Sequence, residues 1–236
     1  FADEEGHFGH FHGSRSFTGK LTEADIDAAR NRTDGRPLRD ALAEAGLAEE
    51  PRAGFEPGRC RAFMEAHIEQ GDRLDGSGLS VGVVTSIVAI WQYRVVATGE
   101  QNHAGTTSMA RRRDAGAALV RLLGRIEAEF PGVAGPASVW TAGRMSFEPG
   151  APSIIPGRAE MLFQFRDADR ATLDRMEARL KELVAEADAA GPCALALETL
   201  GRSEPAAMDA GVRAALAAAA EARAPGAWVE MPSGAG

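Results

Sequence analysis

Apolar positions recur at helical spacing in two long stretches of the chain. Within residues 110–130 they fall at every third or fourth position, as Ala115, Leu119, Leu122, Ile126 and Phe130. A second stripe follows Asp167 and Asp169, either of which can cap a helix. Its members are Leu173, Met176, Leu180, Leu183 and Ala187. This period predicts two amphipathic helices, each packing one face on a core.

Runs of strand-forming residues precede and follow both helices. We predict strands at residues 88–99, 137–147, 157–166 and 193–200. The resulting order, β-α-β-β-α-β, is that of a ferredoxin-like domain and occupies about residues 86–203. An Ala-rich helix at 206–222 and a strand at 227–231 then return to an α/β pattern. We therefore expect the small domain to be inserted into an α/β fold.

The first part of the chain carries shorter patterns. Residues 1–19 are rich in Gly, His and Phe, which is typical of a strand end followed by a long loop. The sequence Thr22-Glu23-Ala24-Asp25 is a capping box that predicts a helix to about Arg30. Pro37 suits the first turn of a second helix at 38–45, and Gly46 ends that helix.

Residues 63–71 alternate between apolar and polar side chains, with Glu65, His67 and Glu69 on the polar face. This alternation predicts a strand that ends in a glycine turn. His67 and Gln70 then lie at a strand's carboxyl end, where open sheets carry active sites. The alternative is that His67 is an ordinary hydrogen-bonded residue.

Composition and charge narrow the class of protein. The 236 residues suffice for about two domains, and a net charge of −8 disfavours a nucleic-acid or anionic-membrane partner. Two cysteines, Cys60 and Cys193, are too few for a disulfide scaffold. No apolar run approaches the ~18 residues that a membrane span requires. A cytoplasmic location is the default expectation.

Adjacent carboxylates occur near the start of the chain, in Asp3-Glu4-Glu5-Gly6. Side chains of like charge repel, so they need either a cation or exposure to solvent. One interpretation is a solvated acidic turn. The other assigns one carboxylate to metal binding and its neighbour to proton transfer.

Two further polar residues lie beside predicted strands. His103 follows a strand and is flanked by small residues that leave it room to reach a ligand. Arg166 ends an apolar strand, and its planar guanidinium suits a carboxylate. The alternative for Arg166 is an ion pair with Asp167 or Asp169.

Six motifs occur along the chain in a fixed order. They are Asp-Glu-Glu-Gly (3–6), Gly-Ser-Arg (13–15), His-Ile-Glu-Gln-Gly (67–71), Asn-His-Ala-Gly-Thr-Thr (102–107), Ile-Ile-Pro-Gly (154–157) and Met-Pro-Ser-Gly-Ala-Gly (231–236). Together they resemble the hydantoinase/carbamoylase branch of the peptidase M20 superfamily, which contains N-carbamoyl-L-amino-acid hydrolases, allantoate amidohydrolases and β-ureidopropionases. The resemblance covers nearly the whole chain, and the third and fourth motifs are specific to the branch.

The resemblance implies a metal-dependent amidohydrolase that cleaves a non-peptide C–N bond of a carbamoyl or ureido substrate, such as an N-carbamoyl-L-amino acid or allantoate. It implies an α/β M20-type catalytic domain in two parts, 1–85 and 204–236. The inserted ferredoxin-like domain, 86–203, would be a lid that also forms a homodimer. The alternatives are an M20 aminopeptidase or dipeptidase, and a non-catalytic dimerising fragment.

The resemblance also implies two bound divalent ions, from Zn, Mn, Co or Ni. Glu4 would be the general base, and Glu5 and His67 would be metal ligands. The family's other ligands, an early histidine and aspartate and a last histidine, are expected before Phe1 and after Gly236. We therefore expect the chain by itself to be inactive.

The remaining implied roles concern the substrate. Gln70 would contact it, and His103 would stabilise the developing oxyanion in the site of the partner subunit. Arg166 and Ser153 would hold the substrate carboxylate. Ser153 stands where the branch usually has asparagine, and serine reaches less far.

Overall fold

A computed structural model describes residues 7–9, 11–56 and 58–234 of the chain. The chain divides into two compact units, Phe1–Ala66 and His67–Gly236. The first unit contains helices α1 (His12–Phe17), α2 (Glu23–Ala28) and α3 (Leu38–Glu44). In the described ranges, no helix is long and apolar enough to cross a membrane.

The second unit holds four helices and nine strands within the described residues. The helices are α4 (Arg73–Gly76), α5 (Ala115–Glu129), α6 (Arg170–Ala190) and α7 (Ala210–Arg223). The strands are β1 (Val81–Ile87), β2 (Ala89–Thr98), β3 (Asn102–His103), β4 (Val139–Glu148), β5 (Ile154–Ile155), β6 (Arg158–Asp167), β7 (Ala194–Arg202), β8 (Ala206–Ala207) and β9 (Trp228–Ser233).

Helix α2 begins with the capping box that the sequence predicts. The Thr22 hydroxyl accepts from the Asp25 N–H at 3.1 Å, and the Asp25 carboxylate accepts from the Thr22 N–H at 2.8 Å. The hydrogen bonds from Thr22 lower the pKa of Asp25 to about 2. The helix ends at Ala28, two residues before the predicted end, and α3 follows Pro37 as expected.

A short helix, α1, replaces part of the loop expected over residues 1–19. Gly and Ser are weak helix formers, so local propensity does not favour it. Arg15 of α1 forms an ion pair with Asp25 of α2 at 3.1 Å. Phe17 also packs edge-on against Phe55, with ring centroids 6.2 Å apart. These tertiary contacts hold a turn of helix that the sequence pattern does not indicate.

The strand predicted at 63–71 is wrong. Phe63, Met64 and Ile68 are 70%, 66% and 75% exposed, and no described strand pairs with this segment. Gln70 has a left-handed backbone, with φ of 55°, which breaks an extended conformation. A strand needs a neighbour for its backbone hydrogen bonds, and alternation alone does not supply one.

The ferredoxin-like order is confirmed in β2-α5-β4-β6-α6-β7. These strands form an antiparallel sheet in the order β4-β6-β2-β7. Helices α5 and α6 pack on one face, where both predicted stripes lie within the core or against it. The largest buried side chains include Trp91, Tyr93, Phe130, Phe163 and Phe165.

Helix α5 starts at Ala115, five residues later than predicted. The Asp114 carboxylate accepts from the Ala117 N–H at 2.9 Å and so caps the helix there. Residues Met109–Arg111 form a separate 3₁₀ turn. Of the two caps offered for α6, Asp169 is the one used, since it accepts from the Thr172 N–H.

A second sheet joins the residues on either side of the ferredoxin-like domain. Its order is β8-β1-β9, with β1 and β9 parallel. Helix α7 starts at Ala210 rather than near 206, because Asp209 caps it and Ala206–Ala207 pair with β1. The predicted α/β class with an inserted ferredoxin-like domain is therefore confirmed.

Candidate functional site

His103 lies in a short two-stranded sheet beside the ferredoxin-like sheet. Strand β3 pairs with β5, so that His103 faces Ile154 in the ladder. The Ala104 N–H donates to the Ser153 carbonyl at 2.9 Å. Both His103 and Ser153 are exposed. The structure therefore brings these two predicted site residues side by side.

Two backbone groups fix the imidazole of His103. The Gly105 and Thr106 N–H groups donate to its Nδ1 at 3.0 and 3.2 Å. Nδ1 is then an acceptor, so the neutral ring carries its proton on Nε2. The Nε2–H of the exposed residue His103 is therefore a hydrogen-bond donor. A donor of this kind is required to stabilise a carbonyl oxygen that gains negative charge.

Arg166 lies on the sheet face opposite the helices. Its neighbours Phe165 and Asp167 in β6 are buried on the helix side. Arg166 Nη1 donates to the Gly234 carbonyl at 2.9 Å. Asp167 accepts from the Ser138 hydroxyl and, at 2.7 Å, from the Asp169 N–H. The alternative that Arg166 pairs with Asp167 or Asp169 is therefore wrong.

His103 and Arg166 lie near opposite ends of the four-stranded sheet, although His103 itself belongs to the separate β3-β5 pair. Thr98 pairs with Arg158 where β6 begins, and Gly99 donates to the Gly157 carbonyl just beyond this pair. Arg166 lies eight residues further along β6. At about 3.3 Å per residue, the Cα atoms of Arg158 and Arg166 are roughly 26 Å apart. His103 follows β2 at the first end and Ser153 precedes β6 there, each by five residues, whereas Arg166 occupies the second end.

His67 and Gln70 lie in the turn that leads into α4. His67 Nδ1 is 2.5 Å from the Ile68 carbonyl, so Nδ1 carries the proton and Nε2 the lone pair. The Glu69 carboxylate accepts from the Arg73 and Leu74 N–H groups, each at 2.9 Å. Glu69 is thus a structural residue of this turn. The left-handed backbone of Gln70 is a local strain of the kind that clusters at binding sites.

Two predicted site residues, Glu4 and Glu5, lie outside the described residues. The structure therefore gives no geometry for the expected general base and one expected metal ligand. Among the residues that are described, no three His, Cys, Asp or Glu side chains form a group that could hold a metal ion.

Sequence reasoning missed Arg112. Its Nη2 donates to the Ala104 carbonyl at 2.5 Å and its Nε to the Thr107 carbonyl at 3.1 Å. These contacts surround the turn that holds His103. The run Arg111-Arg112-Arg113 was visible in the sequence, but a run of three arginines does not indicate which one turns inward.

Comparison with known proteins agrees with this architecture. The peptidase dimerisation domain family matches residues 86–192. A crystal structure of an amidase of the hydantoinase/carbamoylase family from Burkholderia phymatum superposes with a TM-score of 0.90. It is 47% identical, over 99% of this chain and 58% of that chain. The chain belongs to the hydantoinase/carbamoylase branch of the peptidase M20 superfamily.

Two curated members of this M20 branch show the same relation. The N-carbamoyl-L-amino acid amidohydrolase of Geobacillus stearothermophilus is 35% identical over 75% of this chain and 43% of its own length. The allantoate amidohydrolase of Bacillus subtilis is 31% identical over 86% of this chain and 49% of its own length. The chain thus spans about half the length of these relatives. The family resemblance inferred from the six motifs is confirmed.

Membership of the M20 branch raises the question of metal binding. His67 has the tautomer that a ligand needs, because a ligating histidine usually donates its other N–H to a carbonyl or carboxylate. Its residue type and tautomer fit a divalent ion such as zinc. The described residues alone do not complete a coordination sphere.

Proposed function

We propose that this chain is part of a metal-dependent amidohydrolase that cleaves a non-peptide C–N bond of a carbamoyl or ureido substrate. An N-carbamoyl-L-amino acid or allantoate is the substrate class. The observation that carries the proposal is the 47% identity to a hydantoinase/carbamoylase-family amidase across 99% of the chain. The names of the two curated relatives support the choice of substrate over a peptide bond.

His103 is the oxyanion donor in this proposal. Its Nε2–H points away from a backbone that already occupies Nδ1. When water adds to the scissile carbonyl, the oxygen gains negative charge and the hydrogen bond from Nε2 strengthens. Because the donor is oriented before the reaction, little reorganisation is needed during it.

Arg166 binds the carboxylate of the substrate. Its guanidinium can present two parallel N–H donors to two carboxylate oxygens. Within the described residues it has no acidic partner, and its recorded hydrogen bond is to a backbone carbonyl, that of Gly234. A substrate carboxylate is a stronger acceptor than this carbonyl, because the hydrogen bond becomes charge-assisted on both sides.

The complete site combines two copies of the chain. The sheet is roughly 26 Å long between Arg158 and Arg166. A small molecule such as an N-carbamoyl-L-amino acid or allantoate is shorter than this, so it cannot contact His103 and Arg166 of the same copy. A two-fold dimer whose sheets run antiparallel to each other would place the His103 end of one copy beside the Arg166 end of the other. The match to a peptidase dimerisation domain over residues 86–192 supports this arrangement.

The domain limits follow the same proposal. Residues 86–203 form the lid and dimerisation domain, and residues 1–85 and 204–236 belong to the catalytic domain. The parallel pairing of β1 with β9 across the inserted residues supports this division. Closure of the lid brings Arg166, which binds the substrate carboxylate, toward the reacting centre and excludes water.

The metal ligands are Glu5 and His67, and Gln70 contacts the substrate. Two divalent ions, from Zn, Mn, Co or Ni, would polarise the scissile carbonyl and activate water when bound. Glu4 accepts the proton of the attacking water as general base. Ser153, beside His103, donates one hydrogen bond to the substrate.

Replacing the general base tests the chemistry. Glu4→Gln in the full-length protein is expected to abolish ammonia release, because an amide cannot accept the proton, while metal content stays unchanged. The measurements are turnover and metal analysis of the purified variant. Glu49→Gln removes an exposed carboxylate elsewhere in the first unit and is the matched control. Turnover near the wild-type value in Glu4→Gln would show that the base is another residue.

A further inference from the structure

One arginine spans the turn that orients His103. The turn is closed by the Thr107 N–H, which donates to the His103 carbonyl at 3.2 Å. Arg112 donates from one guanidinium to two carbonyls of this turn, at Ala104 and Thr107. Between those two carbonyls lie Gly105 and Thr106, whose N–H groups hold His103 Nδ1.

We propose that Arg112 is a positioning residue that fixes the tautomer and direction of the His103 ring. The inference rests on the proposed role of His103 as oxyanion donor. By holding the Ala104 and Thr107 carbonyls on one side, Arg112 turns the two intervening N–H groups toward Nδ1. Those donors exclude the tautomer that carries its proton on Nδ1, and Nε2 is left with the hydrogen.

Arg112 can act in this way because the backbone beneath it is anchored. The Glu100 N–H donates to the Arg113 carbonyl at 2.8 Å, and the Ala115 N–H donates to the Pro156 carbonyl at 3.1 Å. These bonds tie the segment after the 3₁₀ turn to Glu100, two residues beyond β2, and to Pro156, two residues before β6. Arg112 is half-buried, and its guanidinium spans from this anchored segment to the carbonyls of the turn.

The residue type also matters. Arginine presents several donors in a rigid plane, so one side chain can bind two carbonyls in a defined geometry. Lysine carries a single flexible ammonium group and holds such a pair less well. The neighbouring arginines do not share the role, because Arg111 is exposed and Arg113 donates to the Pro192 carbonyl at 2.9 Å.

The experiment measures the tautomer of His103 directly. Long-range ¹H–¹⁵N spectra of the full chain, labelled on histidine, show which ring nitrogen carries the proton in mildly alkaline buffer. The His103 signals are assigned by comparison with His103→Asn. In the wild type we expect one tautomer, with the proton on Nε2. In Arg112→Met we expect a mixture of both tautomers, and in the control Arg111→Met we expect the wild-type spectrum.

A folded Arg112→Met variant with the wild-type tautomer would overturn the proposal. If Arg112→Met does not fold, Arg112→Lys replaces it, and an unchanged tautomer in that variant has the same meaning. In the full-length protein, Arg112→Lys is expected to lower kcat about 10-fold with KM changed less than about twofold, since the interaction is made in the transition state. Because the spectra need no turnover, they decide the role of Arg112 even if the assigned reaction is wrong.

Discussion

Mixing two inactive variants, His103→Ala and Arg166→Met, is expected to restore about a quarter of the wild-type activity. Alone, His103→Ala should lower kcat by about 10²- to 10³-fold, as loss of an oxyanion donor does. Arg166→Met should lower kcat/KM by about 100-fold or more, because it removes two charge-assisted hydrogen bonds. The measurement is ammonia release after the two proteins have been dissociated and reassociated together.

The recovery follows from the position of the two residues, since His103 lies beside the end of the four-stranded sheet where β6 begins and Arg166 lies near the end where β6 finishes. In a mixed dimer one site takes its intact His103 from one copy and its intact Arg166 from the other. Random pairing makes about half of the dimers mixed, and one of the two sites in each mixed dimer is intact.

The control replaces Arg166→Met by Arg144→Met, which removes an exposed strand arginine in β4. Arg144→Met alone should be fully active, and its mixture with His103→Ala should keep about half of the wild-type activity with or without exchange, so it measures activity lost during dissociation and reassociation. Exchange itself is measured by native mass spectrometry, which resolves the mixed dimer from the two parent dimers. No recovery in the first mixture, despite proven exchange, would place both residues in a single-copy site.

Gly99→Ala is expected to destabilise the second unit more than alanine at any other glycine of that unit. An added Cβ would lie 1.9 Å from the Arg113 carbonyl oxygen, which is a backbone atom that cannot rotate away. The bonds from Gly99 to Gly157 and from Glu100 to Arg113, each 2.8 Å, would both have to shift. The expected cost is about 3 kcal/mol, with a fall of roughly 10 °C in the unfolding midpoint.

Gly124→Ala is the matched control for Gly99→Ala. Gly124 lies exposed within α5, and apart from its chain neighbours and the backbone of its own helix an added Cβ would have no heavy atom within 4 Å. Alanine should raise the free energy of unfolding by about 0.5–1 kcal/mol, since it restricts the unfolded chain and favours the helix. Thermal unfolding followed by circular dichroism measures both variants. A Gly99→Ala midpoint equal to that of the wild type would contradict the close backbone approach.

The sequence predicted those parts of the fold whose signal lies within one element. The stripes of α5 and α6 are examples, since Leu119, Ile126 and Leu180 are all fully buried. A residue's place on a helix face follows from spacing alone, and the core then accepts that face. The capping box at Thr22 succeeded for the same reason, because both of its hydrogen bonds are local.

Features that depend on distant partners were not predicted. Residues 63–71 alternate as a strand does, yet no described strand pairs with them. Strand β1 was also not predicted separately, because its partners β8 and β9 follow more than 100 residues later. Periodicity describes one segment and carries no information about its neighbours.

The candidate site shows the same division. The family resemblance pointed to His103 and Arg166, and the structure adds the hydrogen bonds that each side chain makes. The contacts of Arg112 with Ala104 and Thr107 came only from the structure. Such positioning depends on which of three consecutive arginines faces the turn, and that choice is made by tertiary anchoring.

Ammonia release by the full-length protein is the most direct test of the central claim. The substrates are a panel of N-carbamoyl-L-amino acids and allantoate, with added Mn or Co, and a panel of dipeptides serves as the comparison. We predict ammonia release from at least one carbamoyl or ureido compound and no cleavage of the dipeptides. Cleavage of dipeptides, or inactivity toward every carbamoyl and ureido compound, would contradict the proposed function.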